Sequence, residues 1–371
     1  MSKDLKFKKR LLDRGTGKAE TFAEAASVFD VNNDGILDIV SGEYWYEGPD
    51  FVKKHKICDI PVENEYTADF CDYGMDVNGD GRIDIITGFW FTECLEWREN
   101  PGNNGLWKTH LIDKCGKIET IRFFDIDNCG TEEIFPILPW DPPCFYKLIK
   151  DENGKGTAKF EKHVIHNEIT QHGMGFGDMN GDGKTEVILR NGWLEAPGGD
   201  PLKTPWIKHK EYDFPCWPSV PILAHDVTGN GRMDLILGWA HERGLVWYEQ
   251  VTELYGDETR WKPHEIDAHG SQYHDMMLVD IDNDGELELL TGKRHRAHNG
   301  NDVGEDEPVG IYYFKINGGK FEKHIIDYGP SETASGVGIH FAVADLNGNG
   351  WLDIVAPGKE GLYLFENQGF E

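Results

Sequence analysis

The apolar positions of this chain fall in short runs, each tied to one recurring polar loop. A run such as AASVFD or MMLVD leads into D-x-[ND]-x-D-G-x-x-[DE], and an aliphatic run follows at once. The copies are DVNNDGILDIV from Asp30, DVNGDGRIDII from Asp76, DIDNCGTEEIF from Asp125 and DMNGDGKTEVI from Asp178. They continue with DVTGNGRMDLI from Asp226, DIDNDGELELL from Asp280 and DLNGNGWLDIV from Asp345. Successive starts lie 46, 49, 53, 48, 54 and 65 residues apart, a period that marks a repeat architecture.

Two more signatures follow each loop. One is an aromatic strand: Trp45-Tyr46-Glu47, Trp97-Arg98-Glu99, Trp193-Leu194-Glu195 and Trp247-Tyr248-Glu249. The other is an outer strand, WKTHLI from Trp107, FEKHVI from Phe160 and FEKHII from Phe321, with weaker copies from Phe51, Trp206 and Trp261. Four strands in roughly 50 residues make a propeller blade. The segment KFKKRLLD from Lys6 has no Asp loop before it, yet it matches the outer strand FEKHIID, and the last repeat stops after its third strand at LYLFEN. The fold expected is therefore all-β: a seven-bladed β-propeller with four-stranded blades, spanning 1–371 as one domain. An N-terminal strand over 5–13 completes the seventh blade and closes the ring, so that no edge is left free. The acidic loops all fall on one face.

Composition narrows the partners. With 66 acidic and 37 basic residues the net charge is -29, which argues against nucleic acid or an anionic membrane surface as a partner. Seven cysteines, an odd number without a C-x-x-C pair, suit a reduced interior better than a disulfide framework. The N-terminus carries no apolar signal region and no 18-residue apolar run occurs, so the expected location is cytoplasmic.

These repeats resemble FG-GAP/VCBS repeats, the family of calcium-loop blades, and the resemblance runs over essentially the whole chain. The His-rich loops are most similar to the propeller part of aldos-2-ulose dehydratase, a sugar lyase. The resemblance implies a propeller with structural Ca2+ and, more narrowly, a carbohydrate ligand.

The loop pattern supports the calcium expectation independently. Side-chain oxygens at positions 1, 3, 5 and 9, with Gly at 6 for the turn, suit a hard cation that takes six to eight oxygens. The candidate ligands are Asp30, Asn32, Asp34 and Asp38 in blade one, and Asp76, Asn78, Asp80 and Asp84 in blade two. Blade four offers Asp178, Asn180, Asp182 and Glu186; blade five Asp226, Asn230 and Asp234; blade six Asp280, Asp282, Asp284 and Glu288; blade seven Asp345, Asn347, Asn349 and Asp353. Asn at position 5 weakens blades five and seven, and Cys129 in blade three removes a ligand, so that loop is expected to hold no calcium.

Subtracting the repeat isolates a site. His55, His110, His163, His209, His264 and His324 recur at one outer-strand position and are structural. The residues that break the pattern gather on the face opposite the acidic loops, where inner strands begin and second strands end. Glu24, Glu119, His172 and His274 begin inner strands, with His340 beside another such start; Trp90, Trp140, Trp239, His241 and the cluster Lys293, Arg294, His295, Arg296 and His298 follow second strands. Glu119, His172 and His274, with Glu24 or His340, suit one Zn2+, Mn2+ or Fe2+, or a metal-free hydrogen-bonded channel. Trp90, Trp140 and Trp239 offer flat faces to a sugar, and Lys293, Arg294 and Arg296 a positive wall to a carboxylate, phosphate or enolate. The alternative for the same basic residues is a solvated loop. His172, His241, His274, His295, His298 and His340, with Arg294 and Arg296, are the catalytic candidates. Two functions fit: a lyase acting on a keto-sugar or uronic-acid derivative by β-elimination, or a non-catalytic carbohydrate- or protein-binding propeller of the lectin or integrin type. The loops differ sharply between blades, which favours one asymmetric axial site. No nucleophile triad, phosphate-binding loop or nucleotide fingerprint is present.

Overall fold

The structure, a computed structural model, describes residues 4–14, 23–255 and 259–370. Seven four-stranded antiparallel sheets stand in a ring, and no helix occurs among the described residues. Six blades are built from consecutive strands, as in blade two: Tyr73–Met75, Asp84–Gly88, Leu95–Glu99 and Lys108–Asp113. Blade seven takes Ala342–Ala344, Asp353–Gly358 and Gly361–Phe370, and its outer strand is Leu5–Asp13, paired antiparallel to Gly361–Phe370. The ring is thus closed by the N-terminal strand.

The two aliphatic residues after loop position 9 explain the packing. Consecutive strand residues point to opposite faces, and both faces of a blade are covered by neighbours. Ile39 therefore packs into the seam between blades seven and one, and Val40 into the seam between one and two. Ile85 and Ile86, Ile134 and Phe135, Val187 and Ile188, Leu235 and Ile236, Leu289 and Leu290, and Ile354 and Val355 divide in the same way. Each seam has its own apolar cluster, and each such buried side chain contributes about 1.5–3 kcal/mol.

The acidic loops are organised by their own carboxylates. In all seven, the position-9 side chain accepts the N–H of position 2: Asp38 from Val31, Asp84 from Val77, Glu133 from Ile126, Glu186 from Met179, Asp234 from Val227, Glu288 from Ile281 and Asp353 from Leu346. The first Asp accepts the N–H groups of positions 5 and 6, as Asp30 does from Asp34 and Gly35.

In blade six a lysine enters the acidic loop. Lys315 Nζ pairs with Asp282 and lies 2.9 Å from Asp284, so an ammonium stands among Asp280, Asp282, Asp284 and Glu288, where calcium was expected. Blade three does the same: Lys147 pairs with Asp127 and reaches Glu133 at 2.9 Å and Cys129 at 3.3 Å.

Candidate functional site

The starts of the inner strands meet around the axis and bond to one another. The Ile339 N–H donates to the Glu24 carbonyl at 2.7 Å, and the Val220 N–H to the His274 carbonyl at 2.9 Å. Below them Arg122 of blade three bonds Asp275 of blade six at 2.8 Å and the Val220 carbonyl of blade five. The Phe341 N–H donates to the other Asp275 oxygen at 3.0 Å, which brings in blade seven. A buried ion pair with its remaining groups satisfied holds these four blades together across the axis.

Above this floor, four blades each send one ligand-type side chain to a common point. Glu119, His172, His241 and His274 are all buried, and each offers a ligand atom within 4.8 Å of the others. His274 Nε2 is 2.9 Å from Glu119 Oε1, and His172 Nε2 is 3.5 Å from the same oxygen. Burial opposes the Glu119 charge, but the neighbouring His172 imidazole and the hydrogen bond with His274 hold its carboxyl well below the usual range. Burial also pushes His241 down to about 4 and His274 well below the ordinary imidazole value. Neutral imidazoles beside a carboxylate are the protonation states a transition metal requires.

The fit to a metal rests on two further features. His172 Nδ1 donates to the Pro218 carbonyl at 2.7 Å, which leaves Nε2 with its lone pair, buried and without a hydrogen-bond partner. Three nitrogens and one carboxylate suit Zn2+, Mn2+ or Fe2+ and not Ca2+, which takes oxygens. The cluster therefore contains the expected Glu119, His172 and His274, and adds His241, which the sequence had placed among the acid–base candidates.

A cavity of about 190 Å³ opens onto this cluster. Its walls are aromatic, formed by Tyr66, Phe70, Trp90, Phe91, Trp140 and Trp217, and its polar lining is Glu119, His241, Arg294 and His298. Trp217 stacks on His172 with ring centroids 5.6 Å apart and meets Trp140 edge-on at 5.9 Å. Trp90 carries Lys117 over its ring at 5.2 Å. Trp239 does not line the cavity. It is 7% exposed and packs in the core between blades four and five, edge-on to Phe214.

The basic cluster is spent residue by residue and does not form one positive wall. Lys293 turns away from the axis and donates to the Gly304, Glu305 and Glu307 carbonyls, which fastens the base of the loop. Arg294 points inward and holds Glu24 in a two-point pair, Nε–Oε1 2.8 Å and Nη2–Oε2 3.1 Å, with Nη1 3.9 Å from Glu119. Arg296 reaches Glu65 at 3.4 Å and lies outside the cavity. His295 also lies outside it, pushed down to about 4 by burial and then by Lys293 and Arg296. His298 lines the cavity. His340 lies off the cavity, bonded to the Ala26 carbonyl at 3.0 Å and edge-on to Tyr73, and burial takes it to about 3.

Tyr66, Phe91, Trp217 and Asp302 were not singled out by sequence reasoning. Trp217 was available as a tryptophan outside the repeat. Asp302 lies in the long blade-six insertion, where no periodicity marks it.

No protein-family model and no curated protein matches the chain. Among solved structures similar to it is an Agrocybe aegerita lectin, described as specifically recognising non-reducing terminal N-acetylglucosamine. It is 15% identical, with 99% of this chain and 94% of that chain covered and a TM-score of 0.48. The V. cholerae biofilm matrix protein Bap1 is 12% identical, with 99% and 92% covered and a TM-score of 0.49. The rhamnogalacturonan lyase YesW is 13% identical, with 97% and 75% covered and a TM-score of 0.48. Likenesses of this degree assign no ligand or activity to this chain.

Proposed function

We propose that the protein is a metal-assisted carbon–oxygen lyase acting by β-elimination on a keto-sugar or uronic-acid derivative. The observation that carries this reading is the convergence of Glu119, His172, His241 and His274 at one end of an aromatic-walled cavity with a further imidazole, His298, on its wall. A cavity of about 190 Å³ has room for a single sugar ring. Trp90, Trp140 and Trp217 offer the flat apolar faces on which a pyranose sits, and the resemblance to aldos-2-ulose dehydratase points to the same substrate class.

Glu119, His172, His241 and His274 would hold the metal, which when bound would supply Lewis-acid polarisation of a carbonyl oxygen. Proton transfer falls to His298 by elimination among the cavity's titratable groups. Glu119 and His241 belong to the cluster, Arg294 is locked to Glu24, and the Tyr66 hydroxyl donates to the Ala297 carbonyl. The His298 imidazole takes the proton α to the carbonyl, the β carbon–oxygen bond breaks, and the resulting imidazolium gives its proton to the departing oxygen. The Arg294 guanidinium, held rigid by Glu24, supplies fixed positive charge beside the developing oxyanion.

The test is a panel of 2-keto-sugars and uronic-acid derivatives, followed by the ultraviolet absorbance of the conjugated product. His298→Gln is expected to lower turnover by about 10²–10⁴-fold, the range for loss of a positioned acid–base group, with unfolding and metal content unchanged. Full activity in that variant would remove His298 from the chemistry. Sugar binding without turnover by the unmodified protein would establish the binding propeller instead.

A further inference from the structure

The side chain of Asp302 divides its two oxygens between two histidines from different blades. Oδ2 lies 2.9 Å from His241 Nδ1, and Oδ1 lies 2.8 Å from His298 Nδ1. The two imidazoles stack almost parallel, with centroids 4.2 Å apart and planes 12° apart. An ionised carboxylate only accepts hydrogen bonds, so both Nδ1 atoms carry hydrogen. With hydrogen on Nδ1, Nε2 is the atom of each ring left to ligate a metal or take up a proton. One ring belongs to the cluster with Glu119, His172 and His274; the other lines the aromatic cavity.

Asp302 is itself held in place. Its N–H donates to Glu305 Oε2 at 2.7 Å, and the other Glu305 oxygen accepts the Gly300 N–H. Glu305 is 2% exposed, and its carbonyl takes one of the bonds from Lys293. The buried ammonium of Lys293 thus fixes the stretch carrying Glu305, Glu305 fixes Asp302, and Asp302 fixes two imidazoles. A loop that only covered the surface would need none of these bonds.

We propose that Asp302 is a positioning residue that sets the tautomer and orientation of both His241 and His298, coupling the metal-binding imidazole to the proton-transferring one. This rests on the metal-centre reading above. A carboxylate behind a ligating histidine orients it and raises its basicity, and loss of such a partner typically costs 10–100-fold in metal affinity. Here one carboxylate serves a ligand and an acid–base residue together. An amide in its place can accept from one Nδ1–H but turns its NH2 toward the other, so one imidazole must change tautomer or rotate.

The experiment is a Co2+ titration of the full-length protein, with saturating Ca2+ present to occupy oxygen-rich loops, read by affinity and by the visible ligand-field spectrum. Asp302→Asn is expected to bind Co2+ about 10–100-fold more weakly, with an altered spectrum. His298→Ala is expected to keep the affinity and spectrum of the unmodified protein. Equal affinity and an unchanged spectrum in Asp302→Asn would overturn the proposal while leaving the metal centre standing. Absence of a Co2+ spectrum in the unmodified protein would instead defeat the metal-centre reading and this proposal with it. If Asp302→Asn does not fold, nitrogen–proton correlation spectra of the Zn2+-loaded unmodified protein ask the same question. His241 and His298 both as Nδ1–H tautomers support the coupling, and either one as the Nε2–H tautomer refutes it.

Discussion

Lys293, Arg294, His295, Arg296 and His298 occupy five of six consecutive positions, and their side chains go to five different places. The sequence could locate the cluster, because it follows a second strand and therefore opens on the axial face. It could not assign directions, since a loop has no period to say which side chain faces in. Trp239 fails for a related reason: it extends the buried second strand Asp234–Gly238 and continues into the core. Glu360, which has no part in the chemistry, gives a clean test of burial at the axial end of blade seven. Glu360 Oε1 accepts the Gly336 N–H at 2.6 Å, while Oε2 is buried without a hydrogen-bond partner, and burial lifts this carboxyl from 4.5 to about 7. Below 4.5 the folded and unfolded chains are both protonated at this group. Between 4.5 and 7 the unfolded chain releases the proton and the folded one keeps it, so stability falls as pH rises through that window. Above 7 the loss is complete and constant. Thermal unfolding across this range is expected to show Glu360→Gln gaining on the unmodified protein up to neutrality; parallel curves would refute the burial.

At the level of the blade, one third-strand position separates two kinds of loop. It is Glu47, Glu99, Glu195 and Glu249 in blades one, two, four and five, each bonded to the outer-strand histidine at 2.6–2.8 Å. In blades three and six it is Lys147 and Lys315, which reach the acidic loop instead. The exchange has a visible consequence: His163 Nε2 and His324 Nε2, deprived of that glutamate, are buried without hydrogen-bond partners. Both lysines were legible in the sequence as breaks in the Trp-x-Glu signature. The carboxylates of the blade-six loop alone do not reveal this, because the lysine lies on the third strand, 27 residues beyond loop position 9. An ammonium neutralises a loop without any ion, so Lys315→Glu is expected to raise the calcium content of the desalted protein by one equivalent per chain. An unchanged content would mean that Lys315 does not keep calcium out of blade six.

The ring as a whole was the most legible feature, because seven copies of one pattern constrain the fold far more strongly than any single strand does. Strand number, closure by Leu5–Asp13 and the face carrying the off-pattern residues all follow from that repetition. What repetition cannot show is which off-pattern residues meet across the axis, since Glu119, His172, His241 and His274 come from four blades and are separated by as many as 155 residues. Only closure brings them within ligand distance, over a floor where Arg122 and Asp275 tie opposite sides of the ring. The same closure makes the site single, in contrast to a pocket repeated in every blade. The most direct measurement is elemental analysis of the purified, desalted protein beside a His172→Ala/His274→Ala double variant of matching thermal stability. One equivalent of zinc, manganese or iron per chain, lost in the variant while calcium is retained, is the expected result. A transition metal absent from both proteins, or retained by the variant, would contradict the axial centre.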